Sequence, residues 1–224
     1  MAKNPTGKGS SSRREGSGRA ISESTTERLS IYLRCLTQLE RAGVETISSK
    51  EMAQRFQLNS ALIRKDLTYF GEFGMRGVGY NVPELRSHIV QILGLDRELR
   101  VAIIGAGNLG QALADYRGFN SEGCRIVVLF DVAPEKVGTQ SRGGVPVRHV
   151  DMLEQTLRDE KVNIVALAVP SGQGQALLER AAAAGVRAVL NFVPDRLRPP
   201  EGVFIRNVDL KIQLEGLAFQ LARR

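Results

Sequence analysis

The sequence predicts an α/β protein: an N-terminal winged-helix domain, a Rossmann-like doubly wound domain after it, and a closing C-terminal helix. Three observations carry this. Residues 22–95 have helical periodicity with short loops, interrupted by the glycine-rich stretch GEFGMRGVGYNV; the chain from Arg100 alternates strand and helix; and Gly105-Ala106-Gly107-Asn108-Leu109-Gly110 stands between the first of those strands and its helix. The expected domains are a basic tail (1–21), the winged helix (22–96), the Rossmann domain (97–207) and the terminal helix (208–224).

Composition narrows the classes. A chain of 224 residues with 42% hydrophobic content can bury ordinary cores. No apolar run approaches the roughly 18 to 20 residues of a membrane helix, and no signal-peptide core is visible, so the cytoplasm is the expected location and no membrane partner is expected. Cys35 and Cys124 are too few for a disulfide framework or a zinc site and are read as idle thiols. The net charge of +7 sits largely in the first twenty residues, with five Lys/Arg against one Glu, while residues 21–96 balance nine against nine. That Gly/Ser/Lys/Arg-rich tail lacks apolar periodicity and is expected to be disordered, either simply solvated or touching phosphates.

In the first half, Ser24 and Glu27 read as a capping box, followed by Leu29, Leu33 and Leu36 on one helical face. Ser48 and Glu51 repeat the box before a helix carrying Met52, Ala53 and Phe56. Asn59 then caps a third helix to about Phe70, with Ile63, Leu67 and Phe70 facing the core. Its other face presents Asn59, Ser60, Arg64, Lys65 and Thr68, a polar and basic strip with helix-turn-helix spacing. The glycine-rich segment suits a hairpin wing with Arg76 near the tip, where a side chain reaches a phosphate or a minor groove. Asn81, Pro83 and Glu84 open a fourth helix whose stripe is Leu85, Ile89, Ile92 and Leu93. This pattern points to double-stranded DNA, although a dimerisation module with a solvated basic face has the same grammar.

The second half opens with VAIIG, a β-branched run of the kind buried in a parallel sheet. Gly105 suits the tight turn, Gly107 admits a pyrophosphate to the backbone, and Gly110 lets the helix beginning at Asn108 and Leu109 pack on its strand; the helix is expected to run to Tyr116. A second strand, RIVVLF, ends before Asp131, twenty-one residues after Gly110, where a carboxylate accepts from a ribose hydroxyl. No arginine follows it, so the coenzyme is read as NAD+ or NADH. Helices near 150–159 and 173–184 and strands NIVALAVP, AVLNF and VFIRNV complete one doubly wound sheet. His88 and His149 form no catalytic pair and are read as exposed or capping. The turn SRGG with Lys136 suits a phosphate or a solvated loop equally.

Sixteen residues follow Val208, too few for a substrate domain, so hydride-transfer chemistry is not expected. Two alternatives stay open on pattern alone: an NAD-dependent oxidoreductase with a helical cap, and a CoA-binding module acting as a scaffold. In the last helix Leu210, Leu214, Leu217 and Leu221 share one face and Ile212 and Phe219 another. Its own Rossmann domain is expected to cover one face and the second subunit of a homodimer the other, with exchange between subunits as a variant of that arrangement.

The segments RKDLTYFGEFGMRGVGY, IGAGNLGQALADYRGF, FDVAPEKVG, SRGGVPVRHVDML and LNFVPDRL, in this order over about residues 22–222, resemble the Rex family of redox-sensing transcriptional repressors. The resemblance implies a homodimer that binds an inverted-repeat operator and leaves it when NADH binds, with NAD+ competing without causing release. It places Arg64, Lys65 and Tyr69 at the major groove and Arg76 in the wing, and it matches Gly105, Gly107, Gly110 and Asp131 to the coenzyme. It also implies a redox switch of Arg34, Tyr116 and Asp209, with Tyr116 beside the coenzyme and Asp209 pairing alternately with the arginine and the tyrosine across subunits. Met75 departs from the lysine or threonine more usual in the family's wing.

Overall fold

The computed structural model describes residues 23–75, 77–119 and 123–223; the expected tail and Arg76 lie outside them. The chain divides into two compact units, Met1–Leu93 and Gly94–Arg224.

The first unit runs α1 (Glu23–Arg41), β1 (Thr46–Ile47), α2 (Ser49–Phe56), α3 (Ser60–Phe70), β2 (Gly74–Met75), β3 (Gly79–Asn81) and α4 (Val82–Ile92). Leu29, Leu33 and Leu36 are buried as the periodicity requires, and with Met52, Ile63, Leu67, Leu85 and Ile89 they form the core. Helix α1 begins at Glu23, so Ser24 lies inside its first turn. The leucine stripe that announces this helix begins only at Leu29, too late to fix the first turn by itself. The second box is present: Ser48 Oγ accepts from Glu51 N at 3.1 Å, and Glu51 accepts from Ser48 N at 2.9 Å. Asn59 and Asn81 cap α3 and α4 with their side-chain oxygens.

The wing is an antiparallel pair, β2 with β3, in the register Gly74↔Tyr80 and Met75↔Gly79. A third strand that the sequence does not announce, β1, pairs with the other edge of β3, Ile47 opposite Tyr80. Gly79 has φ +112°, and a Cβ there would stand 2.6 Å from the Ile47 carbonyl oxygen, so close strand approach requires glycine at this point.

The second unit is a six-stranded parallel sheet in the order β6-β5-β4-β7-β8-β9. Its elements are β4 (Leu99–Ile104), α5 (Asn108–Ala114), β5 (Cys124–Asp131), β6 (Val147–His149), a 3₁₀ turn (Val150–Met152), α6 (Leu153–Asp159), β7 (Ile164–Leu167), α7 (Gly174–Ala183), β8 (Ala188–Asn191), β9 (Phe204–Asn207) and α8 (Leu210–Leu221). Counted within the unit, the strand order is third, second, first, fourth, fifth, sixth, the Rossmann arrangement. Two cores lie on opposite faces of the sheet, one around Ile104, Phe130, Leu167 and Leu178, the other around Ile103, Leu129 and Val147. The central strand β4 is therefore buried on both faces, as its unbroken apolar run predicts.

Helix α8 corrects one expectation. Leu210, Ile212, Leu214, Leu217, Phe219 and Leu221 are all exposed, so the Rossmann unit covers neither apolar face. Apolar residues stand on every side of this helix, and such a helix is covered only when it is surrounded. No helix among the described residues is long and apolar enough to cross a membrane.

Candidate coenzyme site and nucleic-acid face

Where the strand order reverses, between β4 and β7, the carboxyl ends of the strands diverge and leave a crevice. A cavity of about 770 Å³ lies there, lined by the glycine turn, Asp131, Val132, Lys136, Val150, the loop after β7 and the first turns of α7. The three glycines do different work. Gly105 has φ +104°, and a Cβ on it would sit 2.3 Å from the Ala168 carbonyl oxygen. A Cβ on Gly110 would sit 1.8 Å from the Gly105 carbonyl oxygen, so α5 could not pack against the turn. Gly107 has ordinary extended backbone, and a Cβ there meets nothing within 4 Å. Its bareness keeps open the space over the start of α5, where no side chain caps the helix and the backbone N–H groups of Asn108 and Leu109 favour an anion.

Asp131 ends β5 on the cavity wall. One carboxylate oxygen accepts from Val132 N and Ala133 N, each at 2.9 Å; the other accepts from Ala106 N at 2.9 Å and Lys136 Nζ at 3.1 Å. Burial pushes this carboxyl up, but the bonds from Ala133, Lys136 and Ala106 outweigh it and hold Asp131 below the usual carboxylate range. The residue thus stays charged and ties the glycine turn to the neighbouring strand.

Two further groups shape this cavity and leave no local mark in the sequence. Asp195 accepts from Ser171 Oγ at 2.5 Å and Gly172 N at 2.6 Å, pinning the loop after β7. Arg180 on α7 makes a two-point pair with Glu154 at 2.5 and 2.9 Å and donates to the Val150 carbonyl at 3.0 Å. The Arg180 guanidinium lowers the Glu154 carboxyl to about 2 from an ordinary 4.5. Because the folded value is the depressed one, the pair stabilises the fold fully above about pH 4.5 and loses that contribution as pH falls toward 2. Urea denaturation should therefore show Glu154→Gln less stable than wild type at pH 7, the gap closing as acid protonates Glu154. A gap that persists at pH 2 would assign the effect to packing.

The SRGG turn is not an anion cradle. Gly143 N donates to Asp115 at 2.7 Å, and Ser141 also bonds to that carboxylate and holds it below its usual range. The loop therefore faces a negative charge, while Lys136 is drawn to Asp131. Helix α5 ends at Ala114, two residues before Tyr116, with the Asp115 backbone still bonded to the Gln111 carbonyl and only its side chain reaching this loop. Tyr116 consequently lies beyond the helix, 58% exposed and edge-on to Phe119 at 5.2 Å, and it is not among the residues lining the cavity. Asp209 caps α8, accepting from Lys211 N at 2.9 Å and Ile212 N at 3.3 Å. Arg34 is exposed on α1, in the other unit. His149 caps the 3₁₀ turn through Nδ1, whereas His88 packs on Phe73 with a buried, unpartnered Nδ1. Cys35 and Cys124 are free, and burial pushes both thiols up, away from reactivity. Among the described residues no His, Cys, Asp or Glu cluster is placed to hold a metal ion.

In the first unit, Arg64, Lys65, Thr68 and Tyr69 project from the exposed side of α3, Ser60 begins it, and Asn59 spends its side-chain oxygen on the cap. Arg64 donates to Ser49 Oγ at 3.0 Å, which steadies its guanidinium across the helix-turn-helix. A groove of about 460 Å³ separates this face from the wing, lined among others by Ser48, Arg64, Thr68, Phe73 and Val78. Opposite this face, Asp66 is buried in a bond to Arg28 that spans 38 positions. Sequence reasoning passed over it, since the Asp in RKDL reads locally as one more surface charge.

Fold and site together define a class: a winged helix carried on one chain with a nucleotide-binding Rossmann unit. Residues 20–68 match the family described as "Putative DNA-binding protein N-terminus", and residues 96–195 match the "CoA binding domain" family. The redox-sensing transcriptional repressor Rex of Streptomyces coelicolor is 47% identical over 92% of this chain and 80% of its own length. That of Desulfitobacterium hafniense is 47% identical over 91% of this chain and 97% of its own. Among solved structures, RSP in complex with beta-NAD+ and operator DNA superposes with a TM-score of 0.85 at 37% identity, covering 91% of this chain and 93% of that one. RSP in complex with beta-NADH gives 0.80 at 35% identity over 91% and 95%. The chain belongs to the Rex family of redox-sensing transcriptional repressors.

Proposed function

We propose that the chain is a cytoplasmic repressor that binds an inverted-repeat operator as a homodimer and releases it when NADH occupies the Rossmann cavity. The observation that carries this reading is a crevice built for a dinucleotide, with Gly107 bare and Asp131 charged on its wall, on a chain that also presents the α3 face and wing. The pyrophosphate would lie over Gly107 and the start of α5, the adenosine ribose at Asp131. The neutral dihydropyridine of NADH and the cationic pyridinium of NAD+ differ in charge and planarity, so a pocket wall can prefer one of them. To move a two-state dimer from 1:99 to 99:1 the ligand must prefer one geometry by roughly 5.5 kcal/mol, shared over two sites.

The domain limits 22–96, 97–207 and 208–224 serve as the functional partition, with α8 supplying the dimer contact. Arg34, Tyr116 and Asp209 are proposed as the switch, and the exposed position of Tyr116 suits a residue that changes partner. The Tyr116→Phe variant should bind NADH normally, read by the rise in coenzyme fluorescence, and show blunted operator release. Full release by the variant would remove the phenol from the switch. Calorimetry separates this reading from a CoA module: NADH and NAD+ should bind and coenzyme A should not. Binding of coenzyme A in place of NADH would overturn it.

A further inference from the structure

We propose that Arg28, Tyr32 and Asp66 set the pose of α3 and are positioning residues for operator binding. The proposal rests on the reading of α3 as the DNA-reading helix. Asp66 is 4% exposed, on the inner side of α3 between Ile63 and Leu67, and its neighbour Lys65 points outward. Its carboxylate takes Arg28 Nε at 2.6 Å and Nη2 at 2.8 Å, and the Tyr32 hydroxyl at 3.0 Å. Arg28 and Tyr32 stand one turn apart on α1, and Arg28 is braced in turn by Thr25 Oγ1 at 3.2 Å.

Three directional bonds thus join α1 and α3, whose remaining inward-facing residues, Leu29 and Leu33 on one and Ile63 and Leu67 on the other, are buried apolar side chains. Apolar contact is non-directional: Ile63 and Leu67 would stay buried if α3 rotated or slid a little on α1. The forked geometry of a guanidinium on a carboxylate does not tolerate such a shift. Rotation of α3 moves Arg64, Lys65, Thr68 and Tyr69 together, so the angle fixed at Asp66 is the angle presented to a groove. Stability alone is a poor reason to bury this carboxylate, because the desolvation of an ion pair offsets much of its attraction. Retention of geometry is the return.

The two roles separate in one variant. In the full-length chain, Arg28→Met/Tyr32→Phe/Asp66→Leu removes every partner at once and leaves no orphaned charge. Its thermal midpoint should equal or exceed that of wild type and its NADH affinity should be unchanged, while its affinity for an operator duplex, by fluorescence anisotropy without coenzyme, falls about tenfold or more. Operator affinity within about threefold of wild type would overturn the proposal. Tyr32→Phe, which deletes one hydroxyl, decides the matter if the triple variant does not fold: it should weaken operator binding about three- to tenfold at temperatures where it is fully folded. Unchanged affinity there would equally overturn the proposal. A wild-type chain without affinity for any such duplex would instead sink the reading of α3 on which this rests.

Discussion

Replacement of Gly107 by valine is expected to leave the fold intact and abolish the response to NADH. The backbone there, φ −77° and ψ −172°, is open to any residue, and beyond the adjoining residues of the chain no heavy atom lies within 4 Å of a Cβ at that position. Stability should change by no more than about 1 kcal/mol. The valine methyls would nevertheless fill the space over the start of α5, so NADH affinity should fall about 100-fold, or about 2.7 kcal/mol. The variant should still bind its operator and should hold it at NADH concentrations that release wild type. Gly110→Ala is the contrasting control: its Cβ would meet the Gly105 carbonyl oxygen at 1.8 Å, so it should lose stability as well as coenzyme. Unchanged NADH affinity in Gly107→Val would mean that the pyrophosphate does not cross this turn.

The second large effect is expected at α8. Leu217 is 57% exposed in the single chain, in a helix whose other apolar residues are also exposed. If a second subunit covers them, Leu217→Arg buries an unpaired charge in the dimer and costs the monomer nothing. Sedimentation should show the variant as a monomer that still binds NADH. Its operator affinity should drop by about 100-fold or more, because joined half-site readers gain roughly that factor over single ones. A variant that remains a dimer with full operator affinity would place the dimer contact elsewhere.

What the sequence disclosed follows from the range of the interactions involved. The Ser48–Glu51 box, the Asn59 cap, the wing glycines, the Gly105–Gly110 turn and Asp131 are local signals or lie at a fixed distance from one, so they were legible. The unforeseen parts depend on partners far along the chain. Strand β1 is two residues long and exists because Tyr80 and Asn81 lie beside it. Asp66 acquires its role from Arg28, 38 positions away, and Gly172 is held by Asp195, 23 positions away. Asp115 likewise acquires its partner from afar, since its side chain accepts from Gly143 N, 28 positions on. The apolar residues of α8 were legible as residues needing cover, while the surface that covers them is not written in α8 itself.

The central claim is that coenzyme in the Rossmann cavity decides operator binding. It is tested most directly by holding the full-length chain on a fluorescent operator duplex at fixed salt and titrating NADH and NAD+ in parallel while anisotropy is followed. NADH should lower the anisotropy to that of free DNA, and NAD+ at the same concentrations should leave the complex in place and shift the NADH curve to higher concentration. Release by both coenzymes alike, or by neither, would contradict the account.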